Sequence, residues 1–151
     1  WQSAMLPQLL DTFADELEAD FERTLNRFLA LQVHGSRDAG EVLRQLRTGM
    51  LRRARPDTAA LRAGLEILRN TDLRPACASV DCPALLIGGE RDTLVPAAAV
   101  TATASLLPRS RIHLVDGGGH APFLSAPGEV ARVVRNFLLP AEADRVVDAN
   151  G

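Results

Sequence analysis

The stretch Ala84-Leu-Leu-Ile-Gly-Gly-Glu-Arg-Asp-Thr-Leu-Val-Pro96 carries the clearest structural signal in this sequence of 151 residues. Its first four residues are an apolar run bounded by proline and glycine, which is typical of a short buried strand. The pattern returns at Ile112-His-Leu-Val-Asp-Gly-Gly-Gly-His-Ala-Pro122, where a second strand-like run ends in glycines. A helix is predicted between the two runs, over 96–107, and another over 127–139. The order strand, helix, strand, helix predicts a parallel α/β arrangement.

The first 70 residues differ, because their apolar residues recur at steps of three and four, the period of an amphipathic helix. They predict four helices, with Asp20 as the cap of the second and Pro56-Asp57 at the start of the fourth. The predicted apolar faces are Leu6, Leu9, Leu10, Phe13 and Leu17; Phe21, Leu25, Phe28 and Leu29; Val42, Leu43, Leu46 and Met50; and Leu61, Leu65 and Leu68. We therefore predict a helical unit over 1–70, an α/β unit over 71–140 and a polar, flexible tail over 141–151.

Composition and charge exclude several classes of protein. The hydrophobic content of 46%, the charged content of 24% and the net charge of −2 are ordinary for a soluble globular domain. They favour neither a nucleic-acid-binding nor a membrane-surface protein, and no apolar run approaches the roughly 20 residues of a membrane span. Cys77 and Cys82 have no cluster of His or Cys residues nearby, whereas a zinc site needs about four ligands, so we expect no metal site. Reduced thiols in a cytoplasmic protein are the favoured interpretation.

Asp92 and His120 each follow a predicted strand, with one helix and one strand between them. Ligand and catalytic sites form at the carboxyl ends of parallel strands, so we expect the two side chains to meet there. An Asp followed by a His is the order that completes a Ser–Asp–His triad in α/β hydrolases. No G-x-S-x-G motif precedes them, and the chain opens on Trp1. We therefore expect the C-terminal part of a serine hydrolase. The two predicted strands are too few for a stable parallel sheet, which supports the same expectation.

Asp92 and His120 also have simpler interpretations. A lone Asp after a strand often caps a turn, and a lone His in a loop is often just a polar surface residue. The contexts G-x-x-D-x-x-V-P and G-G-G-H-x-P together favour the triad. Asp116 is a rival acid, but it is too close in sequence to His120 for the usual geometry, and we assign it to a turn. His113 alternates with apolar neighbours on a strand and is predicted to be a packed or surface residue.

Positive charge is concentrated in residues 23–55, which hold eight arginines against only Asp38 and Glu41. Such a surface can attract phosphate or an acidic protein through steering and bidentate contacts. A solvated helix face explains the same pattern equally well. Nucleic acid is a weaker interpretation, because aromatic residues do not interleave with the arginines.

Three stretches of the sequence also resemble one protein family. They are Phe21-Glu-Arg-Thr-Leu-Asn-Arg-Phe-Leu-Ala-Leu-Gln32, Gly64-Leu-Glu-Ile-Leu68 followed by Asp72-Leu-Arg74, and His120-Ala-Pro-Phe-Leu-Ser125. These are similar to the pimeloyl-acyl-carrier-protein methyl ester esterases, the BioH family of the α/β-hydrolase superfamily, and the resemblance covers nearly all of 1–139. It implies an α/β-hydrolase fold in which residues 1–70 are a four-helix cap, or lid, and residues 71–140 are the C-terminal part of the core.

The resemblance also implies roles for individual residues. Asp92 would be the triad acid and His120 the general base. Three arginines would help to hold the acidic acyl carrier protein or its phosphopantetheine arm: Arg23, Arg27 and Arg44. The family has another arginine near the position of Gly40, and this sequence departs from the family there.

The function implied is that of a serine carboxylesterase that hydrolyses the methyl ester of pimeloyl-acyl carrier protein in biotin biosynthesis, without a cofactor or metal. The nucleophile and oxyanion hole would lie outside these 151 residues. One alternative is another capped α/β hydrolase, such as an enol-lactonase or a short-chain esterase, which has no use for the arginine-rich surface. A second is a non-catalytic, arginine-rich binding module, in which His120 would be dispensable.

Overall fold

The structure, a computed structural model, describes residues 7–34, 39–51 and 57–139. Its elements in chain order are α1 (Pro7–Ala19), α2 (Phe21–Val33), α3 (Ala39–Leu51), α4 (Thr58–Asn70), α5 (Arg74–Cys77), β1 (Ala84–Gly89), α6 (Ala97–Ala104), β2 (Ser110–Val115), α7 (Pro122–Ser125) and α8 (Pro127–Leu138). The predicted tail over 141–151, together with Leu6 and Pro56, lies outside the described residues.

The four predicted N-terminal helices are present as α1 to α4. The Asp20 side chain caps α2 by accepting a hydrogen bond from the Arg23 N–H at 3.1 Å, as predicted. Asp57 caps α4 in the same way, through the Ala59 N–H at 2.8 Å. Both carboxylates satisfy backbone donors that the first helical turn leaves free.

Helices α1 and α2 form the middle of this helical unit, because α2 packs against α1 and α3, and α1 also packs against α4. The buried apolar side chains of this unit are Leu17, Phe21, Leu29, Val33 and Val42. The rings of Phe13 and Phe28 add a contact between α1 and α2, with centroids 5.1 Å apart.

Three helices depart from their predicted apolar faces. Leu9 of α1, Met50 of α3 and Leu68 of α4 are 54%, 37% and 69% exposed, although periodicity placed all three toward the core. Helix α4 packs mainly on α1, so only part of its apolar stripe finds a partner in the described chain. Helical period alone specifies a stripe, and the neighbouring helices decide how much of it is buried.

The α/β unit is built on two parallel strands, paired from Ala84↔Ser110 to Gly89↔Val115. Strand β1 continues two residues beyond the predicted run, through the glycines. On one face of the sheet α6 packs closely, since a Cβ on Gly88 would lie 2.8 Å from Val100 Cγ2. On the opposite face α8 packs, with His113 of β2 bonded to Glu129 at 2.7 Å. The sheet therefore lies between two helices, as the strand–helix order predicted.

Two single-turn helices were not predicted, α5 and α7. Each begins with proline in its first turn, where the missing N–H costs nothing. Neither is long enough to show a helical period in the sequence. Within the described ranges no helix is long and apolar enough to cross a membrane.

The helical unit contacts the α/β unit next to the glycine-rich loop after β2. The Ala121 N–H donates to the Gln32 carbonyl at 3.3 Å, which joins α2 to the residue after His120. Helix α3 also packs on α7. The C-terminal end of α2 is therefore held beside the carboxyl edge of the sheet.

Candidate active site

Asp92 is held rigidly where the chain leaves β1. Its backbone N–H donates to the Gly89 carbonyl at 3.3 Å, which closes a tight turn. Its Oδ1 accepts hydrogen bonds from the N–H groups of Leu94 and Val95 at 2.8 and 2.9 Å. The side chain is 4% exposed, so these bonds replace the water that a carboxylate loses on burial. The second oxygen, Oδ2, accepts neither of these two hydrogen bonds.

The loop that carries His120 is joined to the Asp92 turn by backbone contacts. The Arg91 N–H donates to the Gly118 carbonyl at 2.9 Å. Gly117 has a φ of 62°, a conformation that favours glycine. A Cβ on Gly89 would lie 2.1 Å from the Gly119 carbonyl oxygen, so only glycine permits this approach. The glycines of both motifs therefore bring the two loops together.

A second contact between the loops comes from Glu90, whose Oε2 accepts a hydrogen bond from the Gly117 N–H at 3.2 Å. The Glu90 backbone N–H also donates to the Val115 carbonyl at 3.1 Å. Sequence reasoning gave Glu90 no role. Its place within the turn that ends at Asp92 is the only signal in the sequence that points to it.

The two candidate residues meet as expected. His120 Nδ1 lies 2.8 Å from Asp92 Oδ2. An ionised carboxylate only accepts hydrogen bonds, so this contact favours the imidazole tautomer with the proton on Nδ1 and the lone pair on Nε2. The imidazole is 32% exposed, whereas the carboxylate is buried. The pair can therefore accept a proton at Nε2 and stabilise the resulting imidazolium, which is the task of a general base with its orienting acid.

Asp116 and His113, the other acid and histidine considered in the sequence analysis, take no part in this contact. Asp116 occupies the turn directly after β2, and the carboxylate that faces His120 Nδ1 belongs to Asp92. His113 was predicted to be a packed or surface residue, and it is partly buried and paired with Glu129 between β2 and α8.

The three predicted carrier-binding arginines differ in their surroundings. Arg27 forms an ion pair with Glu16 of α1. Arg44 bonds Glu41 through Nε and Nη2 at 3.0 and 2.7 Å, and this hydrogen bond raises the pKa of Arg44 and lowers the pKa of Glu41. Arg23 is exposed, and its side chain has no ion-pair partner among the described residues. No recorded contact joins any of the three to Asp92 or His120 in the described chain.

Four further arginines of the predicted basic stretch lie outside the described residues: Arg37, Arg52, Arg53 and Arg55. Cys77 and Cys82 are both free thiols. No group of three or more His, Cys, Asp or Glu residues in the described part of the chain could hold a metal ion.

Sequence reasoning also missed two buried polar atoms, on residues whose backbones contact Ala121. Gln32 Nε2 and Ser125 Oγ are shielded from solvent and have no hydrogen-bond partner among the described residues. The sequence held one weak signal for Gln32, a polar residue among apolar positions of α2, but Thr24 is also polar and buried on that helix.

Comparison with known proteins gives consistent results. A family model described as "Alpha/beta hydrolase family" matches residues 3–133. Proteins named pimeloyl-[acyl-carrier protein] methyl ester esterase from Xylella fastidiosa (strain M23) and Xanthomonas campestris pv. campestris (strain B100) are 44% and 42% identical to this chain. The two alignments each cover 91% of this chain, and 55% and 54% of the relatives. The chain thus spans about half the length of the curated relatives it matches.

Among solved structures, an esterase from Exiguobacterium antarcticum aligns with a TM-score of 0.77 at 15% identity. The alignment covers 88% of this chain and 48% of the esterase. This similarity concerns the fold alone.

Proposed function

The chain belongs to the alpha/beta hydrolase family, and we propose that Asp92 and His120 are the acid and the general base of its serine esterase triad. The contact of 2.8 Å between His120 Nδ1 and Asp92 Oδ2 carries this proposal. Residues 1–70 form the cap and residues 71–140 the C-terminal part of the core. The nucleophilic serine and the oxyanion hole are supplied by polypeptide beyond these 151 residues, which contain no G-x-S-x-G motif.

The reaction follows from the orientation of the imidazole. His120 Nε2 takes the proton of the serine hydroxyl as its oxygen attacks the ester carbonyl carbon, and Asp92 stabilises the imidazolium. The imidazolium then gives that proton to the departing methoxide, which leaves as methanol. Water attacks the acyl-enzyme in the same way, with His120 as base, and releases the free acid and the serine.

The substrate we propose is the methyl ester of pimeloyl-acyl carrier protein, on the biotin pathway. The support is the name shared by relatives that are 42–44% identical to this chain. Acyl carrier protein is acidic, and the exposed guanidinium of Arg23 is available to meet a carboxylate or phosphate. Arg27 and Arg44 would have to exchange their intramolecular partners to contribute to the same surface. The two free thiols fit a cytoplasmic protein.

The pairing of Arg27 and Arg44 also favours a second candidate function. Since both cations are already neutralised by carboxylates of the same chain, the cap presents less free positive charge than its composition indicates. A capped esterase or enol-lactonase that acts on small, free substrates needs no such surface. Asp92 and His120 would have the same roles in it.

The test compares the protein expressed from its complete coding sequence with the 151 residues alone. Each is assayed on pimeloyl-acyl-carrier-protein methyl ester and on a small ester such as p-nitrophenyl acetate. We expect hydrolysis by the complete protein, loss of activity in His120→Ala, and no activity from the 151 residues. Serine-dependent hydrolysis by the 151 residues alone, or a fully active His120→Ala variant, would refute the proposal. Activity confined to the small ester would select the second candidate.

A further inference from the structure

The loop that leads from β2 to His120 consists of Asp116 and three glycines, Gly117 to Gly119. We call residues 116–120 the general-base loop. The three glycines are buried, but they have no side chains with which to pack against their surroundings. Glycine also has the greatest backbone freedom of any residue. The position of His120 therefore depends on the hydrogen bonds made to the backbone of this loop.

Glu90 bonds the general-base loop through both its backbone and its side chain. Its backbone N–H donates to the Val115 carbonyl at 3.1 Å, just before the loop begins. Its Oε2 accepts a hydrogen bond from the Gly117 N–H at 3.2 Å, on the other side of the turn at Asp116. The first bond can form with any residue except proline at position 90, whereas the second needs a side-chain acceptor. The second bond is therefore the one that depends on the identity of residue 90.

The Gly117 N–H needs this acceptor. Gly117 is a buried residue, and a buried N–H without an acceptor is unfavourable because it has given up its hydrogen bond to water. If the Glu90 carboxylate were absent, the loop would have to move until this donor reached water. The bond from Gly117 to Glu90 thus stabilises the loop in its present position.

Glu90 also belongs to the turn that holds Asp92. That turn runs from Gly89 to Asp92 and is closed by the Asp92 N–H and the Gly89 carbonyl at 3.3 Å. Glu90 therefore joins the two chain segments that carry Asp92 and His120, whose Oδ2 and Nδ1 atoms lie 2.8 Å apart. A shift of Gly117 would be transmitted to His120 along the backbone of the general-base loop.

We propose that Glu90 is a positioning residue of the triad, whose carboxylate holds the general-base loop at the separation that lets His120 Nδ1 meet Asp92 Oδ2. This inference rests on the proposed esterase function. Glu90 acts through the backbone of the loop and takes no proton in the reaction. Its contribution is geometric, so it requires an acceptor oxygen at this place and does not require the negative charge.

The test uses the complete protein and two variants of Glu90. Glu90→Ala removes the acceptor, and Glu90→Gln keeps an amide oxygen that can replace it. The matched control is Glu66→Ala, the same substitution at an exposed residue of α4. We expect Glu90→Ala to lower kcat on a small ester by about 10- to 100-fold with KM nearly unchanged, because a misplaced general base loses transition-state stabilisation. We expect Glu90→Gln to stay within about threefold of the wild type, and Glu66→Ala to match the wild type.

A second readout is the proton between His120 Nδ1 and Asp92, which proton NMR detects far downfield without any substrate. We expect its resonance to move upfield or vanish in Glu90→Ala, and to remain in Glu90→Gln and in Glu66→Ala. A residue that only stabilised the fold would lower the unfolding temperature, but below that temperature it would leave this resonance and kcat unchanged.

A wild-type kcat with an unmoved resonance in Glu90→Ala would overturn the proposal. A Glu90→Gln variant as impaired as Glu90→Ala would also overturn it, because the effect would then belong to the charge. Loss of the native circular dichroism in Glu90→Ala would assign Glu90 a structural role and have the same consequence. A fully active His120→Ala variant would instead refute the esterase proposal. The downfield resonance needs no turnover, so it would still test the contact between the loops.

Discussion

The substitution Gly89→Ala tests whether the close approach of the two loops sets the geometry of the Asp92–His120 pair. A Cβ at residue 89 would lie 2.1 Å from the Gly119 carbonyl oxygen and 2.4 Å from that of Gly118. The loops must separate by about 0.9 Å before the shorter contact reaches 3.0 Å, and both obstacles are backbone atoms that cannot rotate away. We expect overpacking of this kind to lower the free energy of unfolding by about 1–3 kcal/mol.

The same displacement should also reduce catalysis, because His120 follows Gly119 directly. A misplacement of about 1 Å in a catalytic constellation can cost about 10²-fold in rate. We would measure urea unfolding and kcat on a small ester for the complete protein, with Gly64→Ala as the matched control. Gly64 lies in α4 with nothing within 4 Å of its Cβ position, so alanine should stabilise the helix by about 0.5–1 kcal/mol and leave kcat unchanged. A Gly89→Ala protein as stable and as active as the wild type would refute the reasoning.

Three further predictions concern charged groups. Asp92→Asn should lower kcat on a small ester by about 10⁴-fold, because an amide no longer fixes the tautomer of His120. Circular dichroism should show that the fold is retained, and a loss below tenfold would contradict the triad. Arg23→Glu should raise KM for the carrier-bound ester by about two- to fivefold, less so at high salt, and leave the small ester unaffected; equal effects on both would exclude a carrier contact. The side-chain and backbone hydrogen bonds from Arg74 lower the pKa of Asp72 to about 2, which an NMR titration should reproduce. This pKa is below the ordinary 3.8, so the ionised Asp72 carboxylate stabilises the fold at neutral pH and Asp72→Asn should be less stable there. The difference in stability between the two proteins should disappear as the pH falls from about 4 to 2. A difference that persists at pH 2 would contradict this assignment.

Much of the local structure and the candidate pair could be predicted from the sequence. Helical period, the Asp20 cap and short apolar runs bounded by proline and glycine act over a few residues, so they are visible in the order of residues alone. Asp92 and His120 were predictable for a related reason. Both follow strands that are consecutive in the chain, and the ends of consecutive parallel strands meet at one edge of a sheet.

What the sequence by itself determined is therefore the two strands, the six longer helices, their order and the two residues brought together at the strand ends. Only the tertiary structure decided which arginines are paired, because Arg27 meets Glu16 and Arg62 meets Glu18 across different helices. It likewise decided that Leu68 is exposed and that Gln32 Nε2 is shielded from solvent. These outcomes depend on the separation and rotation of packed helices, and contacts between residues far apart in the chain leave no local pattern in the sequence.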